Sequence, residues 1–168
     1  ANGHSFTNTV IGHSYGSTTA GKAMTQVAEG TVDNFIMCGS PGSGAESIDQ
    51  YNVPKGHVYE SSIPEGDAVQ GLGPDSEYGT NPKKLDGIVH LSGDATDADG
   101  YWSWTDSLRR TAGILPFLKM DIDLHSFANH TRYFDDGTRT SQDFSNIIAG
   151  GKQTTDEEWA AIEKERGK

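Results

Sequence analysis

Cysteine is nearly absent: Cys38 is the one thiol in 168 residues. A single thiol excludes an intramolecular disulfide and leaves the redox compartment open. Positive charge is also scarce, with 13 lysines and arginines against 24 aspartates and glutamates and a formal net charge of −11. Nucleic acid and anionic membrane surfaces both reward lysine and arginine, so this balance argues against either as a partner. No stretch approaches the roughly 20 apolar residues that a membrane-spanning helix needs. Hydrophobic residues make up 33% of the chain, enough for one domain with a real core. Glycine is what the chain has in quantity, 21 residues, and two of them frame its most informative stretch.

Periodicity gives an alternating pattern. Thr7–Ile11, Val32–Cys38, His57–Ser61 and Gly87–Leu91 are short apolar runs of strand character. Ser17–Ala28 has the composition of a helix closing near Gly30, and Gln142–Ala149 begins another that Gly150 and Gly151 end. Ser103–Leu118 reads as a helix limited by Pro116. Thr155–Glu165 is the strongest helix, with Thr155 and Glu158 forming a capping box and acids crowding its first turn. Strands alternating with helices predict an α/β fold, a mostly parallel sheet with flanking helices, in a single domain over residues 1–168. Residues 71–126 are less regular and turn-rich, with Tyr101, Trp102 and Trp104 clustered. An irregular insertion of this kind is either a lid over a site or a surface excursion.

The stretch Thr9–Ala23, TVIGHSYGSTTAGKA, supports two incompatible readings. Gly12 to Gly16 is G-x-S-x-G, the nucleophile elbow of serine hydrolases, in which a strand turns sharply into a helix at the serine. Gly16 to Lys22 is nearly a phosphate-binding loop, G-x-x-x-x-G-K-[ST]. The phosphate reading lacks parts: Ala23 stands where the magnesium-holding hydroxyl belongs, and no acid ends VDNFIMC. It would also delay the helix to about Gly21. The elbow has its strand, its helix and glycines two residues either side of Ser14, where a strained turn and a close helix need room.

A serine hydroxyl needs a base, and a histidine base needs an orienting carboxylate. On an elbow scaffold these follow the serine in the order acid, then histidine. Asp67, in SIPEGDAV just after the HVYES strand, is the best-placed acid, with Glu65 its near alternative. Asp33 lies inside a predicted strand, and Asp94, Asp97 and Asp99 lie in the insertion. For the base, His90 sits in a predicted strand and is expected to pack or pair there. His125 and His130 share the loop DLHSFANHTRYF, too far apart for one helix face; His130 is preferred and His125 remains open. His4 and His57 precede their strands, and His13 is assigned a packing or hydrogen-bonding role beside Ser14. The backbone N–H of Tyr15 would hold part of the oxyanion.

TVIGHSYGSTTAGKA, VDNFIMCGSPGSG, GHVYESSIPEGDAV, LGPDSEYGTNP and HTRYF…SNIIAG resemble, in that order, an α/β-hydrolase family found mainly in actinobacteria. The resemblance covers about residues 7–82 and 125–151. It implies an α/β-hydrolase fold with Ser14 as nucleophile, Asp67 as acid and His130 as base, but no particular substrate. Such a fold normally has strands before its elbow, and a loop among them gives the second oxyanion N–H. This chain therefore reads as the C-terminal half of the fold, lacking the first strands. Either an upstream half exists as a cleaved segment or a separate chain, pairing with an otherwise open strand edge, or this is a reduced fold.

These readings predict a serine hydrolase of the esterase or lipase kind, acting on a small-molecule or lipid-like carboxylic ester through an acyl-enzyme. No cofactor and no metal are expected. An amidase or peptidase would use the same triad, and a catalytically silent binding or assembly module is the alternative from another class. Weaker signals include TDADG at Thr96–Gly100, which echoes a calcium loop but has Ala95 first and Asp106 twelfth. Asn129-His130-Thr131 is a glycosylation sequon, and Cys38 ends a strand where inert packing is expected.

Overall fold

The computed structural model describes residues 6–63, 67, 69–70, 74–94 and 129–167. Four parallel strands make one sheet in the order β1-β2-β3-β4: β1 is Thr9–His13, β2 Asn34–Cys38, β3 Val58–Ser61 and β4 Val89–His90. Strand β1 pairs with β2 from Thr9↔Asn34 to His13↔Cys38, and β2 with β3 from Phe35↔Val58 to Cys38↔Ser61. Helix α1 is Tyr15–Met24, α2 a single turn at Asp75–Tyr78, α3 Arg139–Ile148 and α4 Asp156–Glu165.

The sheet is covered on both faces, which is why its strands read as near-continuous apolar runs. Every residue of β2 is buried. Its side chains alternate: Phe35 and Met37 enter one core with Met24, Val32, Tyr51, Val58, Leu85 and Ile88. Ile36 and Cys38 enter the other with Tyr59, Ile63, Leu91, Tyr133, Phe144 and Ile147. Met24 and Ala20 bring α1 to the first core, and Phe144 and Ile147 bring α3 to the second. The predicted α/β architecture is therefore present as three layers. Among the described residues no helix is long and apolar enough to cross a membrane.

Several boundaries differ from expectation, each for a local reason. Helix α1 ends at Met24 rather than Ala28, because Asn52 intercepts its carbonyls: Asn52 N–H donates to Met24 O at 2.9 Å and its side-chain amide to Val27 O at 2.8 Å. Helix α3 starts at Arg139, three residues before the predicted Gln142, since Thr138 caps it by accepting from Ser141 N–H. Asp33 lies just before β2, not inside a strand, and accepts from Asn8 N–H at 2.8 Å. Asp94 is not a loose insertion residue: it accepts from the N–H groups of Arg139 and Thr140 at the start of α3. His130 sits on a helical turn at 129–130 rather than in open loop, and Asn129 of the sequon is buried. The capping box of Thr155 and Glu158 stands as predicted. His4, Glu65, Asp97, Asp99, His125, the TDADG stretch, the aromatic cluster at 101–104 and the predicted helix at 103–118 lie outside the described residues.

Candidate active site

The site is built where the C-terminal ends of β1 and β2 meet the first turn of α1. The backbone at Ser14 has φ 57° and ψ −139°, and among the described residues it is the one non-glycine with positive φ. Holding a serine there costs on the order of 1–3 kcal/mol, which the surrounding bonds must offset. Ser14 N–H donates to Cys38 O at 3.0 Å, prolonging the β1–β2 ladder, and Ser14 O accepts from Ser17 N–H at 2.9 Å. Behind the turn, Ser17 Oγ lies within hydrogen-bond reach of both Ser14 O and, at 2.6 Å, Ser40 Oγ, its one proton serving either, so the bend rests on buried hydroxyls.

The two framing glycines do different things. A Cβ on Gly12 would lie 2.5 Å from Ser17 Cα, so α1 can cross the strand end only because Gly12 has no side chain. A Cβ on Gly16 would meet nothing within 4 Å, contrary to the expectation that both glycines make room. The close approach on the helix belongs instead to Gly21, where a Cβ would fall 1.8 Å from Ser43 O. The stretch GSTTAGK is helical throughout, within α1, so the phosphate-loop reading is excluded. Tyr15 opens the helix, and its N–H has no intrahelical acceptor.

Asp67 and His130, 63 residues apart, meet beside this turn. His130 Nδ1 donates to Asp67 Oδ1 at 2.9 Å and lies 3.1 Å from Oδ2; the Asp67 side chain is fully buried and that of His130 10% exposed. A carboxylate accepts only, so the imidazole proton sits on Nδ1 and Nε2 presents a lone pair. Nε2 is buried and has no hydrogen-bond partner among the described residues; the Ser14 hydroxyl is thus not bonded to it in this structure. The residue before Ser14 does touch the base: the ring of His13 lies 4.6 Å from that of His130. His13 Nε2 donates to His130 O at 2.6 Å; burial lowers the pKa of His13 and favours the neutral ring, outweighing this bond, which favours the charged one.

Two residues here were missed by sequence reasoning. Tyr133, fully buried, donates to Asp67 Oδ2 at 2.7 Å. Gly39, at φ +55°, is a floor on which a Cβ would come within 3.0 Å of Tyr133, Asp67 and His130 together. The glycine closing VDNFIMCG was a legible signal; one tyrosine among six was not. Other candidates lie elsewhere: His90 Nδ1 pairs with Glu60 Oε1 at 2.6 Å, and His57 with Asn34. Burial raises the pKa of Cys38, keeping the thiol neutral. A cavity lined by Asn146, Lys152, Thr155 and Glu158 shares no residue with the Ser14 site. Among the described residues no cluster of three or more histidine, cysteine or acidic side chains could hold a metal.

A strand, a serine in a sparsely allowed conformation and a helix beginning at the next residue, on a parallel sheet, are the parts of one known scaffold. Residues 1–76 match the model of a family described as alpha/beta hydrolase. This match supports membership of the α/β-hydrolase superfamily. No curated protein and no solved structure matches it. The family match spans β1 to β3 and includes both Ser14 and Asp67, while His130 lies beyond it. Together with the parallel sheet, the match supports a hydrolase-type α/β fold.

Proposed function

We propose that this α/β-hydrolase cleaves carboxylic esters by acyl transfer, with Ser14 as nucleophile, His130 as base and Asp67 as its orienting acid. The observation that carries the reading is the buried Asp67–His130 hydrogen bond laid beside the strained turn at Ser14. In the first step Ser14 Oγ bonds to the carbonyl carbon and its proton passes to His130 Nε2, whose positive charge the Asp67 carboxylate offsets. The oxyanion accepts from Tyr15 N–H at the head of α1, where the helix dipole also favours negative charge. Collapse breaks the ester C–O bond and the alcohol leaves with the proton from His130. Water, deprotonated by the same Nε2, then releases the acid and regenerates Ser14.

The mouth supports a small-molecule or lipid-like substrate. Tyr15 and Phe134 are large apolar side chains more than half exposed, and Phe134 packs edge-on to His13 at 5.9 Å. The second oxyanion donor is proposed to come from a segment or chain that adds to β1. That strand is an edge of the described sheet, and an open edge is a template for pairing. Intact-mass measurement after treatment with a fluorophosphonate tests the reading. A single adduct on Ser14, absent in Ser14→Ala, is expected. A folded protein that never labels, alone or with an added upstream segment, overturns it in favour of a binding module.

A further inference from the structure

We infer that Tyr133 is a positioning residue whose hydroxyl locks the Asp67 carboxylate against His130. Its catalytic consequence rests on the hydrolase reading; its geometry does not. The phenol oxygen has one proton and two lone pairs. Ile63 N–H donates to it at 3.1 Å, and Gln70 Nε2 donates as well. With both acceptor directions occupied, the proton is left to Asp67 Oδ2 at 2.7 Å. Asp67 Oδ1 in turn accepts from Val69 N–H at 2.8 Å and from His130 Nδ1 at 2.9 Å. The carboxylate is thus held on both oxygens, and only one of its partners is the imidazole.

Such a clamp has two effects. It fixes the carboxylate so that one orientation of the His130 ring is favoured, with Nδ1 held to Asp67 and Nε2 left free of it. It also spreads the carboxylate charge over a third donor, which stabilises Asp67 as the anion and moderates its pull on the imidazolium. Removing the hydroxyl makes Asp67 easier to protonate and concentrates its charge on His130, and both changes move the loss of base function to higher pH. Among the described residues, the other titratable groups around the pair include His13, whose ring lies 4.6 Å from that of His130, and Cys38, kept neutral by burial. Burial likewise raises the pKa of Tyr133, so it remains a phenol.

The test compares Tyr133→Phe with wild type in two ways. The titration midpoint of His130 is followed by NMR on histidine-labelled protein, and the fluorophosphonate labelling rate of Ser14 is followed against pH. The expected result is a midpoint raised by about half a pH unit, with the acid limb of labelling moved by the same amount and labelling slowed about tenfold. A midpoint unchanged in Tyr133→Phe overturns the inference, whatever happens to labelling, since a merely structural role slows the reaction without moving the titration. A raised midpoint in a protein that never labels keeps the clamp and removes the hydrolase reading. Should Tyr133→Phe fail to fold, Gln70→Leu takes its place: losing one donor to the phenol weakens its own donation, and a smaller shift in the same direction is expected. No shift in that variant overturns the inference.

Discussion

The serine at position 14 is the one described residue other than glycine that the fold forces to positive φ, and the glycines around it divide the cost of that turn unequally. A Cβ on Gly12 collides with backbone at Ser17, whereas one on Gly16 reaches open space on a helix. Gly12→Ala is therefore expected to lose about 1–3 kcal/mol of stability, the usual penalty of an overpacked contact. Gly16→Ala is expected to gain as much as about 1 kcal/mol through helix propensity. Urea denaturation of the pair checks both signs, and an equal loss in the two would contradict the assignment of the close approach to Gly12. At Gly39 the strain and the crowding coincide. Gly39→Ala must hold a side chain at φ +55°, costing about 1–2 kcal/mol, and must push on Asp67, His130 and Tyr133 together. Labelling of Ser14 should therefore fall at least tenfold even where the variant remains folded. Retained labelling with only lowered stability would place the dyad's tolerance well above what these contacts allow.

Elements were legible where the signal is local. The turn at Ser14 is announced by its own G-x-S-x-G spacing, although Cys38 and Ser40 help to hold it, and in the box of Thr155 and Glu158 neighbouring residues supply every group involved. Helix α1 was overextended because Asn52, which ends it, approaches from 28 residues away. Asp67 and His130 could be ranked by chain order, but their hydrogen bond could not, and Tyr133 had no local signature at all. Asp94 shows the same limit: it looks like a loop charge, yet it anchors the segment after β4 to the head of α3. Burial opposes its ionisation, but bonds from Thr140 Oγ1, the N–H groups of Arg139 and Thr140 and Ser92 Oγ outweigh burial and hold its pKa below the ordinary value. A depressed folded pKa gives stability that is fully present above the unfolded value, near 3.9, and is lost as pH falls through the folded one. In urea midpoints measured across pH, Asp94→Asn should be less stable than wild type at neutral pH. The gap should narrow only once pH drops below about 4. A gap independent of pH from 7 to 2 would mean that the charge on Asp94 contributes nothing.

At the scale of the whole molecule the net charge of −11 acts on whatever approaches the Ser14 site. Long-range repulsion depends on how far the field extends, and the Debye length falls from about 30 Å at 0.01 M salt to about 8 Å at 0.15 M. At low salt an anionic ester meets the field of the entire protein; near physiological salt it meets only the groups beside the mouth. Those nearby include Tyr15 and Phe134, which are uncharged. For a matched pair of activated esters, one neutral and one anionic on the acyl group, kcat/KM should favour the neutral ester about tenfold at low salt. Added salt should raise the anionic rate and leave the neutral rate nearly flat. A preference that persists undiminished at high salt would put the discrimination in the pocket itself, because unscreened short-range contacts would then decide it. A preference for the anion at every salt concentration would require a cationic group at the mouth.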